Sequence, residues 1–286
     1  METDPFPASA GAAYPRSRLA AGARLAGAVL PSLCLLPFAV GSRALLLVGG
    51  RRQDAERTSA RIQRAWAAWT LRILGVRVES VGGPSGPSLI VANHLSWLDI
   101  FVLASQVDCR FVAKSEIARW PGVGLLARTV GTVFVDRGRR SDAARVAARM
   151  GDLLESDVSV VQFPEGAVME GLVIGRFHPA LFEPAARAAL PCHPAALTYD
   201  TPQCGLGTRF SVGWWGGVGL VPHAFRLVRC GELVARCTWS PTPHTDVDRK
   251  ALATIAQRTV EDAFEPLTSG PIPPGDPRSE AISLGR

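Results

Sequence analysis

Leu89-Ile90-Val91-Ala92-Asn93-His94-Leu95-Ser96-Trp97-Leu98-Asp99 is the stretch on which the reading of this chain turns. The apolar run Leu89 to Ala92 is too short for a helix and fits a buried strand. Asn93 and His94 end it, and the pattern predicts a helix over 97–106. Asp99 then falls in the first turn of that helix, five residues after His94. A histidine leaving the C-terminal end of a strand, followed by such a carboxylate, can form a catalytic dyad. The carboxylate holds one imidazole nitrogen and leaves the other free as a general base. The structural alternative is a loop histidine tied down by a helix-capping aspartate.

The same alternation continues in both directions. Strands are predicted at 75–80, 88–92, 110–113, 131–135, 158–163, 194–199 and 232–239. Helices are predicted at 97–106, 121–129, 141–155, 179–189 and 246–266. Gly82-Gly83-Pro84-Ser85-Gly86-Pro87 reads as the turn between the first two strands. The expected fold class is α/β, a mixed central sheet flanked by helices, preceded by N-terminal membrane-associated helices. No internal repeat is visible.

The chain has 286 residues and a net charge of +6. That length suits one sizeable domain with additions. Residues 1–80 hold 11 arginines against five acids, a difference of 6, so the remainder is neutral. A basic arm on a neutral body points to an anionic surface as partner. Nucleic acid is set aside, because no zinc finger, helix-turn-helix or aromatic RNA-binding signature accompanies the charge. The cysteines at 34, 109, 192, 204, 230 and 237 show no metal spacing and read as buried free thiols. No metal site is expected.

The expected organisation is a disordered N-terminus over 1–17, a membrane-associated segment over 18–74, a catalytic domain over 75–267 and a flexible tail over 268–286. Leu25 to Ser42 is an uncharged stretch approaching spanning length, interrupted by Pro31 and Pro37. Arginines flank both ends, so a re-entrant or interfacial hairpin with both ends cytoplasmic is expected; a single span and a signal peptide are the alternatives. Arg51 to Leu74 reads as an amphipathic helix. Arg57, Arg61 and Arg64 recur at helical spacing, with Ile62, Trp66 and Trp69. That combination suits a membrane interface; packing on the domain is the alternative.

Three later segments accompany the first. Gly131 to Arg137 reads as a strand ending in an arginine, and Val160 to Gly166 as a strand ending in Glu165-Gly166. Leu190-Pro191-Cys192-His193-Pro194 to Leu197 enters a third strand. With Asn93 to Asp99 these resemble the four blocks of the glycerolipid acyltransferases, the 1-acyl-glycerol-3-phosphate acyltransferase family. Order and spacing match. So does Phe111-Val112-Ala113-Lys114 with Trp120-Pro121, and the resemblance runs over roughly 75–240.

The resemblance implies an enzyme that moves a fatty acyl group from acyl-CoA or acyl carrier protein to a lysolipid hydroxyl, with no other cofactor. The favoured acceptor is 1-acyl-glycerol-3-phosphate, giving phosphatidic acid. His94 and Asp99 are the catalytic pair. Lys114, Arg137, Glu165 and Gly166 are the acceptor-binding candidates. The expected location is the cytoplasmic face of the inner membrane. Such chemistry needs a base for the attacking alcohol and a cation for a phosphate head, but no protein nucleophile; the absence of a G-x-S-x-G elbow agrees.

Here the chain departs from the family pattern. After Glu165-Gly166 the family has threonine and often arginine, whereas this chain has Ala167 and Val168; His178 stands where lysine is common. Trp214-Trp215-Gly216 with Leu220-Val221-Pro222-His223 resembles a subgroup that includes enzymes making ornithine lipids. A lyso-ornithine lipid is therefore the second candidate acceptor. The two tryptophans fit either a headgroup anchor or core packing. His193, His223 and His244 read as satisfied structural histidines. A non-catalytic lipid-binding protein would also fit the membrane-directed features, and a thioesterase would use the same dyad with water in place of the alcohol. Gly122 to Ala127 matches a dinucleotide fingerprint loosely but follows Trp120-Pro121 rather than a strand, and is rejected.

Overall fold

The computed structural model describes residues 14–136, 140–246, 248–271, 276 and 278, with the side chains of 31, 33–36, 140 and 141 excepted. Its strands are β1 (Val76–Val81), β2 (Leu89–Ala92), β3 (Cys109–Lys114), β4 (Val133–Val135), β5 (Ser159–Gln162), β6 (Cys192–Asp200) and β7 (Leu233–Trp239). The helices are α1 (Arg18–Val48), α2 (Arg52–Leu74), α3 (Leu98–Gln106), α4 (Val123–Thr129), α5 (Arg140–Glu155), α6 (Glu183–Arg187), α7 (Thr208–Ser211), α8 (Leu220–Arg229) and α9 (Arg249–Ala263).

The strands form one sheet in the order β1-β7-β6-β2-β5-β3-β4. From β6 to β4 the pairings are parallel; β7 runs antiparallel to β6 and carries β1 in parallel. The sheet is therefore mixed, with a parallel centre. Every residue of β2 is fully buried, as expected of a parallel strand covered on both faces. Alternate residues feed two cores. Ile90, Ala92 and Val161 face the layer of α2, α3 and α8. Leu89, Val91 and Val160 face that of α5 and α9. The C-terminal ends of β2, β3, β4, β5 and β6 share one edge, where ligand sites of open parallel sheets form.

Four features of the structure bear on these expectations. First, α1 runs through Pro31 and Pro37 as one helix, and the chain reverses at Gly49-Gly50 instead. Each proline removes one helical hydrogen bond. Packing offsets the loss: Ala21, Leu25 and Ala28 close on Ala67, Leu71 and Leu74 of α2, and Trp66 Nε1 donates to Ser32 Oγ at 2.8 Å. Among the described residues no helix is long and apolar enough to cross a membrane.

Second, α2 is docked on the domain. Arg57 pairs with Asp157 at 2.8 Å, and Arg61 and Arg64 approach Asp108 at 3.8 and 3.9 Å. Its C-terminus is closed by the left-handed Gly75, and Arg24 donates to the Ile73 carbonyl at 2.7 Å. Third, residues 14–17 are ordered: Tyr14 is buried under Arg229, and Arg16 N donates to the Arg229 carbonyl. Fourth, Asp276 and Arg278 are both buried. Composition cannot see an isolated aromatic or ion pair that fills a niche in the fold. Residues 1–13 of the expected disordered N-terminus lie outside the described residues.

Candidate active site

β2 delivers Asn93 and His94 to the shared C-terminal edge. Asn93 is fully buried and clamps β2 to β6 from both ends of its amide: Nδ2 donates to the Leu197 carbonyl at 2.9 Å, and Oδ1 accepts from Leu197 N at 2.7 Å. His94 follows with its ring stacked on Phe163 from the end of β5, centroids 4.0 Å apart and planes 11° apart. Its Nδ1 lies 2.7 Å from Asp99 Oδ2.

Asp99 is fully buried in the first turn of α3. Its Oδ2 also accepts the backbone N–H groups of Leu95 at 2.6 Å and Ser96 at 2.9 Å. Tyr199, from the end of β6, donates its hydroxyl to Oδ1. A carboxylate with this many donors has its orientation fixed. As an acceptor it places the imidazole proton on Nδ1 and leaves the lone pair on Nε2. The His94 side chain is 16% exposed, so the ring is not sealed in the core. An imidazole oriented in this way by a buried carboxylate is an arrangement that general-base chemistry can use.

Glu165 sits beside the dyad without a described cation. Its Oε2 accepts His94 N at 2.6 Å and its Oε1 accepts Gly175 N at 2.7 Å. Burial, opposed by those two donors, raises its carboxyl from the usual range to about 7. The side chain thus clasps the histidine loop to residues 166–175, which the His94 carbonyl also holds by accepting Met169 N at 2.7 Å. Gly166 has φ 78°, in the left-handed region that favours glycine. The hydrogen-bonded turn Gly166 N to Phe163 O needs it.

Lys114 ends β3 at the same edge, and its side chain makes no hydrogen bond or ion pair among the described residues. Arg137 lies outside the described residues; β4 ends two residues before it, at Val135, on that edge.

Trp215 is buried between Arg209 and Arg278, so it packs the core and does not anchor the domain; Trp214 N donates to the Leu95 carbonyl. His223 is fully buried, accepting from Trp97 Nε1 at 3.0 Å and donating to the Gly213 carbonyl at 3.1 Å. Burial and the nearby Arg226 push its pKa down to about 3. His193 donates to the Ser240 carbonyl, and the backbone of His244 bridges Cys192. Sequence reasoning missed Tyr199 and Phe163 as partners of the dyad. A strand-borne tyrosine within an otherwise apolar alternation, Ala195-Ala196-Leu197-Thr198-Tyr199, is the one signal that was available for Tyr199.

The His94–Asp99 pair thus stands on the C-terminal edge of a mixed sheet, with Glu165 and Lys114 at the same edge. A family model described as Acyltransferase matches residues 75–198, and by the relatives that follow the chain belongs to the glycerolipid acyltransferase family. It is 35% identical over 221 residues to the lyso-ornithine lipid O-acyltransferase of Rhizobium meliloti, covering 73% of this chain and 75% of that one. The corresponding enzyme of Pseudomonas aeruginosa is 31% identical over 81% of this chain and 90% of its own. The 1-acyl-sn-glycerol-3-phosphate acyltransferase of Neisseria meningitidis is 34% identical over 52% of this chain and 57% of its own. The crystal structure of the 1-acyl-sn-glycerophosphate acyltransferase PlsC from Thermotoga maritima shares the fold, with a TM-score of 0.53 at 19% identity over 82% of this chain and 97% of that one.

Proposed function

We propose that this chain transfers a fatty acyl group from acyl-CoA or acyl carrier protein to the free hydroxyl of a lysolipid, with His94 as general base. The observation that supports this reading best is the His94–Asp99 pair at 2.7 Å, with the His94 side chain partly exposed at the sheet edge. The acceptor oxygen attacks the thioester carbonyl carbon as Nε2 takes its proton. The C–S bond then breaks, and the leaving sulfur takes the proton back, so His94 is regenerated. Asp99 stabilises the imidazolium between the two steps.

The acceptor we favour is a lyso-ornithine lipid. The relatives of that name match about three quarters of this chain or more, and Ala167-Val168 replaces the pattern that supplies a hydroxyl and a cation to phosphate. The second reading is 1-acyl-glycerol-3-phosphate, which Lys114 at the end of β3 and Arg137 just beyond β4 support as phosphate partners. The reaction would take place at the cytoplasmic face of a membrane. A row of exposed apolar residues on α1, among them Val29, Leu30, Phe38, Leu45 and Val48, supports that placement.

The test is purified full-length protein offered both donors with lyso-ornithine lipid, 1-acyl-glycerol-3-phosphate or no acceptor. Product with the first acceptor, lost by a factor of ~10²–10⁴ in His94→Ala, is the expected outcome. Turnover confined to 1-acyl-glycerol-3-phosphate selects the second reading. Thioester hydrolysis alone, or His94→Ala within twofold of wild type, sinks the mechanism.

A further inference from the structure

Asp99 is buried with two carboxylate oxygens to satisfy, and they are served unequally. Oδ2 takes His94 Nδ1 at 2.7 Å, Leu95 N at 2.6 Å and Ser96 N at 2.9 Å. Oδ1 takes the hydroxyl of Tyr199, which lies 100 residues away in sequence. We propose that Tyr199 is a positioning residue of the dyad, its hydroxyl capping Asp99 Oδ1 so that Oδ2 alone faces His94 with a fixed direction and a moderated charge. This rests on the acyltransferase reading above.

Tyr199 is 4% exposed and Asp99 fully buried, so their contact is shielded from bulk solvent. The strand sets its reach. Ala195, Leu197 and Tyr199 lie on one face of β6 in the same core, and Tyr199 pairs in register with the small Ala235 of β7. Packing alone would be served equally by phenylalanine; what phenylalanine lacks is the donor. Burial and the Asp99 charge push the phenol well above its ordinary value, so it stays protonated and donates. A donor on Oδ1 draws charge from the carboxylate and weakens its pull on the imidazole proton. Deleting it concentrates that charge on Oδ2.

The experiment compares Tyr199→Phe with wild type and with Asp99→Asn. In Tyr199→Phe we expect kcat to fall roughly tenfold, about the effect of one lost hydrogen bond, with both substrates' KM values unchanged. The acid limb of the pH profile of kcat/KM moves to higher pH. In the Asp99→Asn background the same change adds little, because the group it acts through is gone. A second measurement needs no substrate: the downfield imidazole N–H resonance, identified by its loss in His94→Ala, moves further downfield in Tyr199→Phe. An unmoved resonance with an unmoved acid limb, or a change confined to KM, overturns the proposal. A wild type that acylates no lysolipid overturns the acyltransferase reading instead, and the resonance then decides the role of Tyr199 by itself.

Discussion

At the scale of the residue, Glu165 uses both carboxylate oxygens to hold the loop that carries His94. Its two oxygens are matched to two N–H donors, and glutamine offers one acceptor where two are needed. Glu165→Gln should therefore lower kcat by about one hydrogen bond's worth, roughly fivefold to tenfold, without a selective rise in acceptor KM; steady-state kinetics with varied acceptor checks this. The pH dependence has a definite sign. The folded state raises this carboxyl from 4.5 to about 7, so the native protein binds its proton more tightly than the unfolded chain does. Wild type should then lose stability relative to Glu165→Gln as pH rises from 4.5 through 7. Urea unfolding at about pH 5 and pH 8 reads the narrowing gap. His94 and Asp99 were legible in the sequence because a strand end and a helix start fix their spacing locally. Tyr199 and Phe163 were not, because their roles depend on which strand lies beside β2, and no local pattern gives that order.

At the scale of the element, all seven strands and most helices follow from periodicity alone, whereas α7 and α8, lying among glycines and a proline, are not among the predicted helices. The partner of α2 was hidden for a different reason. Its buried face carries Glu56, Ser59 and Gln63, polar residues that a hydrophobic pattern assigns to solvent. They meet Arg110 of β3, which is fully buried and donates to Gln63 Oε1 at 2.8 Å. Glu56 is shared by three guanidinium groups: Arg43 at 2.8 Å, Arg149 at 2.7 Å and Arg110 at 3.4 Å. Burial works to raise its carboxyl, but the arginines outweigh it and hold the value below the ordinary range. Its contribution is therefore full at neutral pH and fades as pH falls through the carboxylate range. Removing the shared anion leaves three like charges together, whereas removing Arg110 leaves Glu56 with two partners. Glu56→Gln should accordingly destabilise more than Arg110→Met, by about 3–5 kcal/mol against less than half of that. Equilibrium unfolding of the two variants gives the order.

At the scale of the whole molecule, the excess charge of the first 80 residues reads as an arm for an anionic surface, yet much of it is answered from within. Arg24 caps α2, while Arg43, Arg57, Arg61 and Arg64 face Glu56, Asp157 and Asp108. Charge counts along a chain do not show which acids the fold will bring opposite. The C-terminal residues are tied in by similar long-range pairing. Arg278 is fully buried, stacks over Phe210 and Trp215, and donates to the carbonyls of Phe210 and Gly213 at 2.9 Å each. A longer contact, at 3.4 Å, reaches the Arg209 carbonyl. Asp276 holds Arg278 and Arg226 together; burial would raise its carboxyl, but the two arginines keep it at about 2. The clasped loop is the one whose Trp214 N–H holds the Leu95 carbonyl, one residue from His94. Loosening the tail should thus reach the base through that loop. Arg278→Ala leaves these carbonyls facing an emptied niche and should cost roughly 2–4 kcal/mol of stability. It should also lower kcat more than either KM. Because Asp276 is depressed in the folded state, its contribution persists above its ordinary value of 3.8 and is lost only as pH falls through about 2. The stability gap between wild type and Asp276→Asn should therefore stay constant from about pH 8 to pH 5, and a gap that closes within that window would show that the tail does not hold the loop through this ion pair.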